Sequence, residues 1–222
     1  QLVDLGDLEK LIQDCGLSVP AIGTGQAWGE EGLSFTDPDP SIRRLAIERI
    51  KSHIPGAVRF KAIIIVGLIR GIVKPGVDPA QAMDWLIEAL RECSQAARLY
   101  NIRLALEPIN RYETTLINSV EQGRELIERV EADNFGLLLD TFHMNIEEPD
   151  IEISIRQCGT HIFHFHVADS NRWYPGAGHL DFMSILKTLS STGYQGWVSG
   201  EFLPKPDAGT AAREGISFLR RV

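Results

Sequence analysis

Cysteine is scarce in this 222-residue chain: Cys15, Cys93 and Cys158 stand far apart, and no two form a CxxC pair. An odd, dispersed set excludes a disulfide framework and a thiolate zinc site, and it fits a reducing compartment, so the cytoplasm is the expected location. Long apolar runs are missing too. The longest, Ala62 to Ile69, falls well short of the ~18 residues that a membrane span needs, so no membrane partner is expected. Positive charge is in deficit, with 22 Lys and Arg against 30 Asp and Glu for a formal charge of -8. Nucleic-acid binding draws most of its affinity from clustered Lys and Arg, so that balance speaks against a nucleic-acid partner and for a small molecule. A dinucleotide loop is lacking as well. The glycines of GTGQAWG from Gly23 do not have the GxGxxG spacing, and the segment reads as a strand-end loop inside the chain, opening no helix.

What remains is an ordinary globular composition, 44% hydrophobic and 23% charged, with no Ser/Gly linker or charge block to divide it. One domain over residues 1–222 is the expectation. Short apolar runs alternate with longer amphipathic segments, as crossover connections between parallel strands require. Six strands are predicted: SVPAIGTG from Ser18, AIIIVGL from Ala62, RLALEP from Arg103, FGLLLD from Phe135, IFHFHV from Ile162 and GWVSGEF from Gly196. Between them helices are predicted over Ser41 to His53, Asp78 to Leu99, Ser119 to Glu131 and Asp181 to Thr192, the last stopped by Gly193. The chain opens on a helical pattern, with Leu2, Leu5, Leu8, Leu11 and Ile12 at helical spacing. The fold class expected is α/β, a TIM (β/α)8 barrel. Such a barrel has eight strands in ~250 residues, so the expectation is that its first strand, first helix and second strand lie outside the sequence given.

In barrel enzymes the site is assembled at the C-terminal ends of the strands. Four successive predicted strands end on chemistry-bearing residues: Glu107, Asp140, His166 and Glu201. Any one of these carboxylates, taken alone, is more often a helix N-cap than a ligand. Four at successive strand ends are a different matter, because three carboxylates and an imidazole converging in one place need a cation to balance them. Oxygen-rich donors with one nitrogen suit Mn²⁺, with Mg²⁺, Co²⁺ or Zn²⁺ as the other candidate ions, and leave octahedral positions for two substrate oxygens. In HIFHFH, strand alternation puts His164 and His166 on one face and His161 on the other. His166 is then the ligand and His164 the residue behind it.

The segments EPINRYETTLINS from Glu107, LDTFHMNIEE from Leu139, HVADSNR from His166 and GEF from Gly200 resemble the xylose isomerase-like TIM barrel superfamily of sugar isomerases and epimerases. Within it they are most similar to the ketose 3-epimerases of the D-tagatose and D-psicose type. The resemblance runs from about residue 100 to residue 205 and is architectural before that. It implies one divalent metal on Glu107, Asp140, His166 and Glu201, and a sugar held by Glu113, His143 and Arg172. It also implies homodimers or tetramers. The reaction implied is C3 epimerisation of a ketose through an enediolate, with Glu107 and Glu201 as the two catalytic acid-base groups. An aldose-ketose or hydroxypyruvate isomerase and an inosose dehydratase would use the same metal site. An endonuclease IV-like nuclease would need a basic groove that the charge opposes. A non-catalytic barrel would be expected to have lost a ligand. One departure stands out: the HxxExNR segment of the epimerases has Asp169 in place of its Glu.

Overall fold

The computed structural model describes residues 4–222, so Leu2 of the opening pattern lies outside the described residues. The chain divides into two compact units, one running to Ala105 and including Ala132–Asn134, the other comprising Leu106–Glu131 and Phe135–Val222.

In the first unit, α1 (Leu5–Asp14) starts at Asp4, whose carboxylate accepts the N–H groups of Gly6 and Asp7. Strand β1 (Ala21–Gly23) pairs in parallel with β2 (Ile63–Val66), Ala21 opposite Ile63. The four residues of β2, IIIV, are buried without exception, as a parallel strand covered on both faces must be. GTGQAWG behaves differently from its expectation, since Gly25–Gly29 forms the short helix α2. Helices α3 (Pro40–Ser52), α4 (Ile54–Phe60) and α5 (Pro79–Arg98) follow. Both α3 and α5 place Asp at the N-cap and Pro at the first helical position, where the missing N–H costs nothing. The helices predicted over Asp78 to Leu99, Ser119 to Glu131 and Asp181 to Thr192 exceed the observed ones by one residue at each end because those spans counted the caps, whereas the span from Ser41 to His53 starts one residue late and takes in only the C-cap. Strand β3 (Leu104–Leu106) is fully buried.

In the second unit, α6 (Val120–Val130) begins with a reciprocal capping box between Ser119 and Gln122 and buries Val120, Gly123, Leu126 and Val130. Gly123 is a close-approach position: a Cβ there would meet Leu137 Cδ1 at 2.7 Å. Strand β4 (Phe135–Asp140) is buried along its whole length. Two short helices, α7 (Thr141–Glu147) and α8 (Ile151–Cys158), lead to β5 (Ile162–Val167), then α9 (Phe182–Ser191), β6 (Val198–Gly200) and α10 (Ala208–Leu219). Strand β5 pairs in parallel with β4 and with β6. The register sets Asp140 opposite His166, and His166 opposite Ser199. Parallel pairing therefore brings the C-terminal ends of these three strands, with Asp140, His166 and Glu201, to one side.

Candidate metal centre

Glu107 follows β3, Asp140 is the last residue of β4, His166 sits near the end of β5, and Glu201 follows β6. One ligand atom from each of the four lies within 4.8 Å of all the others. His166 Nδ1 is 3.8 Å from Glu107 Oε1, 3.8 Å from Asp140 Oδ2 and 3.4 Å from Glu201 Oε2. Opposite donors around a small octahedral cation stand about 4 Å apart, so the cluster has the dimensions of an ion site. Glu107, Asp140 and His166 are buried, whereas the Glu201 side chain is 46% exposed.

The electrostatics follow from crowding. Burial and the charges of Glu107 and Glu201 push the Asp140 carboxyl up to about 8. Burial disfavours a charged His166, but Glu107 and Glu201 overcome it and raise the imidazole to about 10. Glu201 is the counterpart: burial acts to raise it, and the close approach of His166, with the charge of Arg172, brings it lower. A divalent cation fits these donors. It would take the place of the protons that now offset the charge, and it would satisfy His166 Nδ1, a buried atom with no hydrogen-bond partner among the described residues.

Asp140 shows that capping and clustering are compatible in one side chain. Its Oδ1 accepts the N–H groups of Phe142 (2.7 Å) and His143 (3.4 Å) as the N-cap of α7, while Oδ2 faces His166. Behind the cluster, His164 is buried and bonds Ser199 Oγ at 3.0 Å, with its ring edge-on to that of His166. Burial, followed by the charge of His166, lowers His164 to about 4 and keeps it neutral. His161 is exposed ahead of β5.

The three residues singled out for a sugar are also brought together. Arg172 donates to Glu113 Oε1 at 3.1 Å and lies over the Phe142 ring, 4.8 Å from its centroid. Asn110 donates to the same Glu113 oxygen at 2.9 Å and approaches His143 Nδ1 at 2.8 Å. His143 Nε2 in turn is 3.9 Å from Glu107 Oε1. One chain of contacts thus runs from Arg172 through Glu113, Asn110 and His143 to the cluster. Arg172 holds a left-handed backbone, φ 59°, unusual for a residue other than glycine. Its N–H donates to the backbone carbonyl of Asp169 at 2.7 Å, and the wholly buried Asp169 carboxylate accepts the N–H groups of Ser170 (2.8 Å), Gly176 (2.8 Å) and Leu180 (3.2 Å) in the same loop.

Asn110, Phe142 and Ser199 had no role in the sequence argument. Asn110 lies inside the EPINRYE segment, but its importance comes from a partner 33 positions away.

A TIM-type α/β barrel with an acidic, one-histidine cluster at its strand ends is the class of protein that these features define. The family model "Xylose isomerase-like TIM barrel" matches residues 4–222, and the chain belongs to that family. It is 34% identical to L-ribulose 3-epimerase of Mesorhizobium japonicum over 195 residues, which cover 86% of this chain and 64% of that protein. It is 30% identical to D-psicose 3-epimerase of Ruminiclostridium cellulolyticum over 208 residues, covering 88% of this chain and 67% of that one. The chain therefore spans about two-thirds of the length of these relatives. A solved structure of L-ribulose 3-epimerase, 28% identical, superposes with a TM-score of 0.86 over 98% of this chain and 78% of its own. No described helix is long and apolar enough to cross a membrane.

Proposed function

We propose that this chain carries the site of a divalent-metal-dependent sugar epimerase that moves a proton at the carbon next to a ketose carbonyl, C3 of the sugar. The observation that carries it is the convergence of three carboxylates and one imidazole, Glu107, Asp140, Glu201 and His166, within 4.8 Å. The named activities of the relatives support the same reaction class. Mn²⁺ is the expected ion. A divalent cation held by these four residues supplies Lewis-acid stabilisation of the negative charge that develops on the substrate oxygens.

The chain's own residues do the rest. One of Glu107 and Glu201 takes the C3 proton, and the other delivers a proton to the opposite face, so that the configuration inverts with no net change in protons. Arg172 and His143 hold the oxygens at the carbonyl end. Glu113, kept in place by Arg172 and Asn110, accepts from sugar hydroxyls.

The test is a proton NMR screen in D₂O with Mn²⁺, offering ketohexoses, ketopentoses, hydroxypyruvate and an inosose. A C3 epimer carrying deuterium at the inverted carbon is expected. Product formed without deuterium would indicate hydride transfer, as in an aldose-ketose isomerase. Loss of water from the inosose alone would indicate a dehydratase.

A further inference from the structure

We infer that Asn110 is a positioning residue that fixes His143 as the neutral tautomer with its proton on Nε2, so that His143 meets the substrate as a hydrogen-bond donor and not as a base. The backbone determines each step. Tyr112 N–H can only donate, and it donates to Asn110 Oδ1 at 3.0 Å, which identifies that atom as the amide oxygen. The other amide atom is therefore the NH₂. It spends one hydrogen on Glu113 Oε1 at 2.9 Å and directs the other at His143 Nδ1, 2.8 Å away. The backbone N–H of Asn110 also points at His143 Nδ1, at 3.5 Å. An imidazole nitrogen that faces two donors offers its lone pair and carries no proton. The proton of the neutral ring then resides on Nε2. That atom lies on the cluster side, 3.9 Å from Glu107 Oε1, too far for a hydrogen bond to it and so available to an incoming oxygen.

The arrangement leaves no freedom to reverse the ring. Asn110 is buried, 1% exposed, and His143 2%. His143 also belongs to α7, whose N-terminus Asp140 caps, so the imidazole is held from the backbone side as well as from Nδ1. Two donors, His143 Nε2–H and the Arg172 guanidinium, then flank Glu113 and Asn110. Such a pair selects a substrate oxygen that accepts, a carbonyl oxygen before a hydroxyl. This last statement rests on the proposed epimerase function. The tautomer does not.

The experiment uses the full chain loaded with Mg²⁺ and labelled with ¹⁵N-histidine, and reads the two-bond proton-nitrogen correlations of each ring, His143 being assigned by loss of its signals in His143→Gln. The expected pattern is an acceptor-type Nδ1 and a protonated Nε2. A protonated Nδ1 in the unmodified protein overturns the inference without any variant. Asn110→Asp puts an acceptor where the donor was. It should reverse the tautomer and lower kcat by roughly 10²-fold, the usual loss for one oxygen-directed donor. Mg²⁺ affinity should remain within a few-fold. Unchanged kcat with a reversed ring would overturn the positioning role. Should Asn110→Asp fail to fold, Asn110→Ala serves: a lower kcat, with His143 signals split between tautomers, is expected, and an unperturbed ring would count against Asn110. If the tautomer is as assigned and no ketose turns over, the epimerase proposal fails and the assignment of the ring stands.

Discussion

At the scale of single residues the site is a competition between protons and a cation. Without metal, Asp140, raised to about 8 by burial and the neighbouring carboxylates, and His166, raised to about 10 against its own burial by Glu107 and Glu201, both hold protons at neutral pH. A cation must displace them, so Mn²⁺ affinity should climb as pH rises from 6 to 9, with proton release measurable by calorimetry in buffers of different ionisation heat. Binding without proton release would refute the coupling. The sign for stability is the reverse. Each group binds its proton more tightly when folded than unfolded, so its contribution is lost as pH rises through the folded value. The metal-free protein should therefore melt at progressively lower temperature between pH 7 and 10. The proposed acid-base roles are tested by substitution: Glu107→Gln and Glu201→Gln should each lower turnover by about 10²-fold or more. Near-normal kcat in either variant, with metal retained by calorimetry, would end the two-carboxylate scheme.

Single elements carry the support. The loop from Asp169 to Leu180 has no regular structure, yet one buried carboxylate gathers the N–H groups of Ser170, Gly176 and Leu180, while the backbone carbonyl of the same residue accepts from Arg172 in its left-handed turn. Asp169→Asn keeps the shape but gives up charge-assisted bonds, each worth roughly 1.5–3 kcal/mol. We expect KM to rise, Gly176 and Leu180 amides to exchange faster, and Mn²⁺ affinity to stay unchanged. Unaltered exchange would show that the loop is held some other way. On the opposite side of β4, Gly123 lets α6 approach Leu137. Gly123→Ala gains helix propensity, about 1 kcal/mol, but forces a Cβ to 2.7 Å from Leu137 Cδ1, and overpacking of that kind typically costs about 1–3 kcal/mol. Net destabilisation in urea is the expected result, and the cost of Gly123→Ala should disappear when it is measured in a Leu137→Ala background, itself less stable because a buried side chain is lost.

At the scale of the whole molecule, binding at the cluster acts on folding by mass action. At a free Mn²⁺ concentration one hundred times Kd, the native state gains about 2.7 kcal/mol, which for a domain of this size is roughly 5–10 °C in Tm. Asp140→Asn removes both a ligand oxygen and the charge, and should abolish that rise. A Tm that responds to Mn²⁺ equally in both proteins would put the ion elsewhere. The same measurement bears on the relation to the longer relatives. The four clustered residues come from the strand ends of a chain that spans 64% and 67% of the two proteins compared, so a rise in Tm with Mn²⁺ would assign the metal response to these residues.

The ordering of apolar runs and helices determined the strand positions, because β2 and β4 are so uniformly aliphatic that only a twice-covered parallel strand accommodates them. The three carboxylates and the histidine at or just past the ends of β3, β4, β5 and β6 were legible because parallel strands carry successive C-terminal ends to the same side of a sheet. Helices α7 and α8 are too short for periodicity to reveal them, and α2 hid in a glycine-bearing segment that reads as a loop. Only tertiary structure could bring Arg172 to Glu113, 59 positions apart, or join Asn110 to His143 and Ser199 to His164. A hydrogen bond between distant loops depends on where two elements stop, and neither composition nor spacing along the chain encodes that distance.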